Sequence, residues 1–194
     1  VYSQLFPNFQ KELQGVQVCL TVGCPNPYDA MVMQREEDGI RHEVIVFDMA
    51  RFLGYGERAL GLVSRLTTHE TAHILMHKRW PVLAEDVPYR RQLQHLCFDE
   101  GFAHLLACGE EIASFDFSGW VDQYWEPSLQ KLREALACTD PEKQQECLIR
   151  ATAGPYWEKF ACITGKLYLA QHRDQLVSIY SEGPDRFLPE LFLP

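Results

Sequence analysis

Positive charge is scarce in this 194-residue sequence: 18 lysines and arginines stand against 27 aspartates and glutamates, and the net charge is −9. A general nucleic-acid binder needs basic patches, so the sequence predicts no nucleic-acid partner. Long apolar runs are also lacking. No stretch of about 18 apolar residues occurs, and we therefore expect no membrane-spanning helix. The hydrophobic fraction of 46% is ordinary for a globular protein.

Cysteine pairs with metal-binding or redox spacing are absent as well. None of the seven cysteines forms a C-x-x-C pair, and their number is odd. Cys97 and Cys108 lie in apolar stretches predicted to be helical, where a reduced thiol packs as a small apolar side chain. Together with the lack of a signal peptide, this favours a reducing, cytoplasmic location. Secretion, with three disulfides and one free thiol, stays as the alternative.

The chain does contain a change of hydrophobic period near residue 57. Before it, β-branched runs and an Asp38-Gly39 hairpin turn predict a small, mostly antiparallel sheet, with strands at 16–22, 30–34 and 42–49. After it, apolar residues recur every three or four positions. The predicted helices are 57–80, 89–108, 121–137, 142–151, 156–172 and 175–180.

These patterns predict one α+β domain over residues 1–194. It would comprise a sheet-rich part (1–56), a pair of helices that carries the most informative motif (57–108) and a helical part (109–194). The length of the chain is sufficient for one domain with a substantial core. The sequence says nothing about the oligomeric state.

The motif reads His69-Glu70-Thr71-Ala72-His73 and falls on the first of the two central helices. Residues four apart share one helix face and lie about 6 Å apart, so His69 and His73 can bind one metal ion. Glu70 lies beside them and can reach a metal-bound water without being a ligand. Zinc-dependent hydrolysis requires this arrangement of two neutral nitrogens, an open position for water, and a base.

A third protein ligand is needed, and the nearby candidates are weak. His77 continues the four-residue spacing, but it lies about 12 Å from His69 along a straight helix and cannot share its ion. We expect it to be a cap or a partner of a carboxylate. Arg79 occupies the position of the third histidine in the metzincin pattern. His95 and His104 remain possible ligands without local support.

Glu100 is the better candidate for the third ligand. It lies on the second of the two helices, which a proline-containing loop can fold back along the first. The small residues Gly101 and Ala103 would let this helix approach the motif helix closely. Two histidines and a glutamate are a known ligand set for catalytic zinc. We therefore expect one zinc ion held by His69, His73 and Glu100.

The chain resembles the gluzincin group of zinc peptidases, which combine a His-Glu-x-x-His motif with a distal glutamate. The aminopeptidases of that group carry the third ligand in the segment Asn-Glu-Gly-Phe-Ala, which is similar to Asp99-Glu100-Gly101-Phe102-Ala103 here. The resemblance covers residues 57–108 and is closest to compact, minimal gluzincins. It implies a zincin-like fold and a peptide or protein substrate. The aminopeptidase motif Gly-x-Met-Glu-Asn is absent and the loop before Glu100 is longer, so we favour a metalloendopeptidase.

The resemblance also implies that the edge strand of the sheet pairs with extended peptide, and the strand at 42–49 is placed to do this. The stretch from Tyr156 through Gly165 to Tyr168 resembles a helix found downstream in many compact gluzincins. Tyr156, Tyr168 and His104 are candidate donors to a developing oxyanion. For each tyrosine, core packing with an outward hydroxyl is the alternative.

Asp99 could orient a zinc-binding histidine, with an exposed or capping role as the alternative.

The sequence as a whole predicts a zinc-dependent metallopeptidase in which a zinc-activated water attacks the peptide bond and Glu70 is the general base. One alternative is a zinc-binding module derived from peptidases without proteolytic activity. Another is a zinc hydrolase that acts on a different amide.

Overall fold

The structure, a computed structural model, describes residues 1–25, 28–37, 39–84 and 86–192. Two short helices, α1 (Tyr2–Leu5) and α2 (Phe9–Glu12), precede the sheet. Its strands are β1 (Gln17–Thr21), β2 (Ala30–Glu37) and β3 (Ile40–Asp48). The rest of the described chain is mainly helical, so the α+β class expected from the change of hydrophobic period is confirmed.

The sheet within the described residues has three strands in the order β1-β3-β2 and is mixed. β2 and β3 pair antiparallel, with Val32 opposite Ile45, whereas β1 and β3 pair parallel. The prediction of a mostly antiparallel sheet is therefore wrong for one of the two pairings. The physical reason lies in the path of the chain, which forms β2 after β1 and before β3. β3 then lies between the other two strands, antiparallel to β2 and parallel to β1. Asp38 of the predicted hairpin turn lies outside the described residues.

The strand predicted at 42–49 corresponds to β3, which is the central strand and not an edge. Its backbone is paired on both sides, so it cannot add a substrate peptide, and that prediction is wrong. The five consecutive residues Val44 to Asp48 of β3 are buried, Ile45 and Phe47 among them. These two pack with Ile74 of the motif helix. In the described part of the chain, β2 has one unpaired edge, on the side away from β3.

The helices after the sheet lie close to their predicted positions, although α3 falls in the part predicted to be sheet-rich. Their bounds are α3 (Met49–Tyr55), α4 (Ala59–Arg79), α5 (Tyr89–Leu106), α6 (Ser118–Leu136), α7 (Pro141–Thr152), α8 (Phe160–Gln171), α9 (Leu176–Glu182) and α10 (Pro189–Phe192). The helix predicted to begin at Tyr156 begins at Phe160, because Tyr156–Glu158 forms a separate 3-10 turn. Among the described residues, no helix combines the length and apolarity needed to cross a bilayer.

Helices α5 and α8 meet in direct backbone contact through two glycines. A Cβ atom added to Gly165 would lie 1.9 Å from the carbonyl oxygen of Cys97, and one added to Gly101 would lie 2.7 Å from the carbonyl carbon of Gly165. Gly101 was expected to bring α5 close to the motif helix. That expectation is wrong, because the close approach is to α8. All seven cysteines lie in described segments, and all are free thiols.

Candidate metal centre

The motif helix α4 buries the face that carries His69, Glu70 and His73, while its first two turns are largely exposed. The ring nitrogens His69 Nε2 and His73 Nε2 lie 3.0 Å apart. Two nitrogens bound to one tetrahedral zinc at about 2.0–2.1 Å each are separated by about 3.3 Å. The two imidazoles are therefore already aimed at a common point, as the four-residue spacing predicted.

Glu100, on α5, brings its carboxylate to the same point. Its Oε2 lies 3.8 Å from His69 Nε2, and its Oε1 lies 4.0 Å from His73 Nε2. The three ligand atoms all lie within 4.8 Å of one another. Because two zinc–ligand bonds of about 2 Å span almost 4 Å, a single ion can touch all three with only small side-chain adjustments. The residues present therefore fit a zinc ion.

Asp99 lies behind His73. Its Oδ2 accepts a hydrogen bond from His73 Nδ1 at 3.0 Å, which leaves Nε2 directed at the candidate metal position. Burial would raise the pKa of Asp99, but the charge of His73 and the hydrogen bonds from His73 and His77 hold that pKa below its usual range. The contact with His73 is the one that the orienting role, considered from sequence, requires.

His77 lies one turn further along α4 and shares the same carboxylate. Its Nε2 lies 3.1 Å from Asp99 Oδ2, close to the 3.0 Å contact of His73 Nδ1. As helix geometry required, His77 does not join His69 and Glu100 in one group of potential ligands. It is the partner of a carboxylate, and it braces the residue that orients His73.

Glu70 is almost fully buried beside the ligands. Burial raises the pKa of its carboxyl to about 7, and the neighbouring Glu100 charge acts in the same direction. The charge of His73 and a hydrogen bond from the backbone N–H of Val32 lower the pKa and limit the rise. A carboxyl group whose pKa is near neutrality can both accept and return a proton, which is what a general base requires.

The two motif histidines differ in protonation. Burial, followed by the charge of His73, lowers the pKa of His69 well below its usual value. Burial also lowers the pKa of His73, but Asp99 and Glu100 outweigh it and raise that pKa to about 10. Metal ligands must be neutral imidazoles, so His69 is ready to bind, whereas His73 would release a proton when an ion binds.

Two of the three candidate oxyanion donors lie near the ligands. The ring of His104 is 4.6 Å from the ring of His69, and its Nε2 lies 3.5 Å from Glu100 Oε2. The ring of Tyr156 meets His104 edge-on at 5.4 Å. The Tyr156 hydroxyl accepts a hydrogen bond from Lys166 Nζ at 2.9 Å, so its own proton remains available for donation.

Tyr168, the third candidate donor, lies elsewhere. Its ring packs against His172 at 4.3 Å and against Phe187 at 5.1 Å. It follows Cys162, which contacts Glu100, by six residues of α8, or about 9 Å along the helix axis. The alternative of core packing therefore describes its placement, and we do not retain Tyr168 as an oxyanion donor.

Two residues near the ligands were not found by sequence reasoning. The buried thiol of Cys162 donates a hydrogen bond to Glu100 Oε2 over 3.6 Å. Burial lowers the pKa values of His69 and His104 and raises that of Glu100, and the charge of Lys159, which immediately precedes α8, acts to lower all three. The sequence offered one indication for Cys162. It lies three residues before Gly165 and therefore on the same helix face as that glycine, which is the face of α8 that meets α5.

Comparison of the chain with protein-family models, with curated proteins and with solved structures gave no match.

Proposed function

We propose that the protein is a zinc-dependent metallopeptidase in which His69, His73 and Glu100 hold one zinc ion and Glu70 is the general base. The observation that carries the proposal is the convergence of three ligand atoms within 4.8 Å beside a buried glutamate. Among the described residues, Glu70 belongs to none of the groups that could hold a metal. It is thus placed beside the ligands and free to handle protons, as hydrolysis requires.

A bound zinc ion would supply Lewis acidity for the scissile carbonyl and a lowered pKa for a water molecule. Glu70 accepts the proton of the attacking water and passes it to the leaving amine. The backbone of Val32, which lowers the pKa of Glu70, favours the charged carboxylate that accepts this proton. Asp99 accepts a hydrogen bond from His73 and so holds the orientation of the His73 ring while Glu70 transfers the proton.

The unpaired edge of β2 supports a peptide as the substrate. A backbone hydrogen bond from Val32 is among the causes that lower the pKa of Glu70, so β2 runs beside the catalytic carboxylate, and the side of β2 away from β3 is unpaired among the described residues. In a strand, the N–H and C=O groups of one residue point to the same side, and every second residue repeats the direction. An extended peptide would add to this edge as a fourth strand, with its scissile bond beside Glu70.

Tyr156 is the better of the two remaining candidates for oxyanion stabilisation. His104 Nε2 lies 3.5 Å from Glu100 Oε2, so its polar atom is engaged with a ligand of the zinc site. The Tyr156 oxygen instead accepts from Lys166, which leaves the phenolic proton for a substrate oxygen. We propose Tyr156 as the donor and His104 as a neighbour of the ligands.

One observation favours the rival function, a peptidase-derived zinc module without proteolytic activity. Structural zinc sites are closed by a fourth protein ligand, and Cys162 Sγ lies only 3.6 Å from Glu100 Oε2. In the non-proteolytic module, the thiolate of Cys162 would be the fourth zinc ligand, in the coordination position that a water molecule occupies in a hydrolytic site. The two functions therefore differ in whether Cys162 binds the first zinc ion.

The test is hydrolysis of a peptide library by the purified chain carrying one equivalent of zinc. We expect cleavage that stops with a chelator and returns when one equivalent of zinc is restored. Cleavage that persists in metal-free protein would contradict the proposal. Absence of cleavage in protein shown to hold one zinc ion would favour the non-proteolytic module, and cleavage of simple amides without peptides would favour the other hydrolase.

A further inference from the structure

Among the described residues, two further groups of potential metal ligands adjoin the first. One of them, His73 with His77 and Asp99, shares His73 with it, and the other shares Glu100. This second group consists of Glu100 and His104 on α5 and Cys162 on α8, whose ligand atoms all lie within 4.8 Å of one another. We propose that these three residues form a second site, for a thiophilic divalent ion such as Zn²⁺ or Cd²⁺, and that the two sites share Glu100. This inference goes beyond peptidase activity, although it rests on the assignment of Glu100 to the first site.

The distances in the second group match tetrahedral coordination. His104 Nε2 lies 3.5 Å from Glu100 Oε2, and Cys162 Sγ lies 3.6 Å from the same oxygen. With a zinc–sulfur bond of about 2.3 Å and zinc–nitrogen and zinc–oxygen bonds of about 2.0 Å, ligand atoms at tetrahedral angles are about 3.3 to 3.5 Å apart. The two distances to Glu100 are therefore within a few tenths of an ångström of tetrahedral values, and the third, between His104 and Cys162, is within 4.8 Å.

The helices hold these side chains in place without the ion. Glu100 and His104 are four residues apart on α5 and so lie on one face. Cys162 is held against them because α8 touches the α5 backbone at Gly165, three residues further along. The Cys162 side chain has no exposed surface, so its sulfur has little freedom to turn away from Glu100. The second site is thus preorganised.

The Glu100 carboxylate faces both sites. Its Oε1 lies 4.0 Å from His73 Nε2, and its Oε2 lies 3.8 Å from His69 Nε2 as well as beside His104 and Cys162. A bridging carboxylate typically holds two ions about 3.5 to 4 Å apart. The balance of charge also permits two ions, because three carboxylates and one thiolate, those of Glu70, Asp99, Glu100 and Cys162, offset two divalent cations.

Binding at the second site replaces the thiol S–H bond of Cys162 with a sulfur–metal bond and releases the proton to solvent. Two divalent cations that share one carboxylate repel each other. The second ion should therefore bind more weakly than the first.

The test is a titration of the metal-free chain with Co²⁺, in a background that carries Cys19→Ser and Cys24→Ser to remove the thiols around β1. We expect no thiolate-to-cobalt absorption with the first equivalent, and such absorption with the second. Equilibrium dialysis with elemental analysis should find two ions per chain. A total of one ion without the absorption would overturn the proposal.

Two variants separate the second site from general effects of losing a buried thiol. Cys162→Ala should bind one ion and lose the absorption, whereas Cys97→Ala, which removes an equally buried thiol outside the group, should keep both. If Cys162→Ala retains both ions, the proposal is refuted. His104→Gln, which should also lose the second ion, provides the same test if Cys162→Ala does not fold by circular dichroism.

The outcome is distinguishable from failure of the proposed peptidase. A chain that binds the second, cysteine-linked ion but cleaves no peptide in its one-ion state refutes the peptidase and supports the second site. A chain that cleaves peptides with one ion and never binds another refutes the second site alone. Thiolate absorption with the first equivalent refutes the order of binding and supports the non-proteolytic module.

Discussion

Replacing Asp99 tests how much of the metal affinity depends on the residue behind His73. Asp99 Oδ2 accepts hydrogen bonds from His73 Nδ1 at 3.0 Å and from His77 Nε2 at 3.1 Å, both in a largely buried setting. A hydrogen bond to a charged group contributes about 1.5 to 3 kcal/mol, and one between neutral groups contributes about 1 kcal/mol. Asp99→Asn retains an acceptor oxygen but removes the charge.

Asp99→Asn should therefore weaken zinc binding by about 1 to 1.5 kcal/mol, or about tenfold, because only the charge is lost. Asp99→Ala removes the acceptor as well and should weaken binding by about 30- to 100-fold, the upper part of the roughly 10- to 100-fold range typical for partners of metal-binding histidines. Competition with a chromophoric chelator measures both affinities. Asp122→Asn, which removes an exposed carboxylate on α6, is the control and should bind zinc normally.

Wild-type zinc affinity in the folded Asp99→Ala protein would refute this reasoning. It would mean that packing around His73 alone holds the ring in place. A loss of affinity equal in the Asn and Ala variants would instead contradict the assigned magnitudes, because the neutral acceptor would then contribute nothing.

Three further changes test other parts of the account. Glu100→Ala should lower zinc affinity by at least 100-fold, because it removes one of three ligands, and zinc retained at one equivalent after dialysis would reject Glu100. Tyr156→Phe should lower kcat by about 10²-fold or more with little change in KM, since it removes a donor used in the transition state, and an unchanged kcat would exclude that role. Gly165→Ala should destabilise the fold by about 1 to 3 kcal/mol or more in chemical denaturation, because its Cβ would overlap the Cys97 carbonyl oxygen, whereas Gly61→Ala, with open space around it, should not.

The helices could be predicted from sequence because their periodicity is local. The apolar face of each helix is visible as a repeat within about ten to twenty consecutive residues. The observed ends of α4 and α5 therefore lie within two residues of the predicted ends. The sheet could not be predicted to the same extent. A parallel pairing between β1 and β3 depends on the path of the chain through β2, and no pattern within β3 reveals that it is the central strand.

Local sequence patterns predict some residues of the candidate site, whereas others are brought there only by the packing of distant helices. His69 and His73 follow from helix spacing alone, and Glu100 required its resemblance to a known third-ligand segment. The contact of Cys162 with Glu100 depends on how α8 crosses α5, which is set by the glycine pair and not by any local motif. Gly101 was correctly seen as a place of close approach, but the sequence could not say which helix would approach it.

The measurement that tests the central claim most directly compares zinc content and peptide hydrolysis in Glu70→Gln. Glutamine keeps the size of the side chain and cannot act as a base. The account predicts one zinc ion per chain, bound with near wild-type affinity, and hydrolysis reduced by about 10² to 10⁴-fold. The exposed residue change Glu57→Gln should alter neither quantity. Full hydrolytic activity in zinc-loaded Glu70→Gln protein would contradict the account.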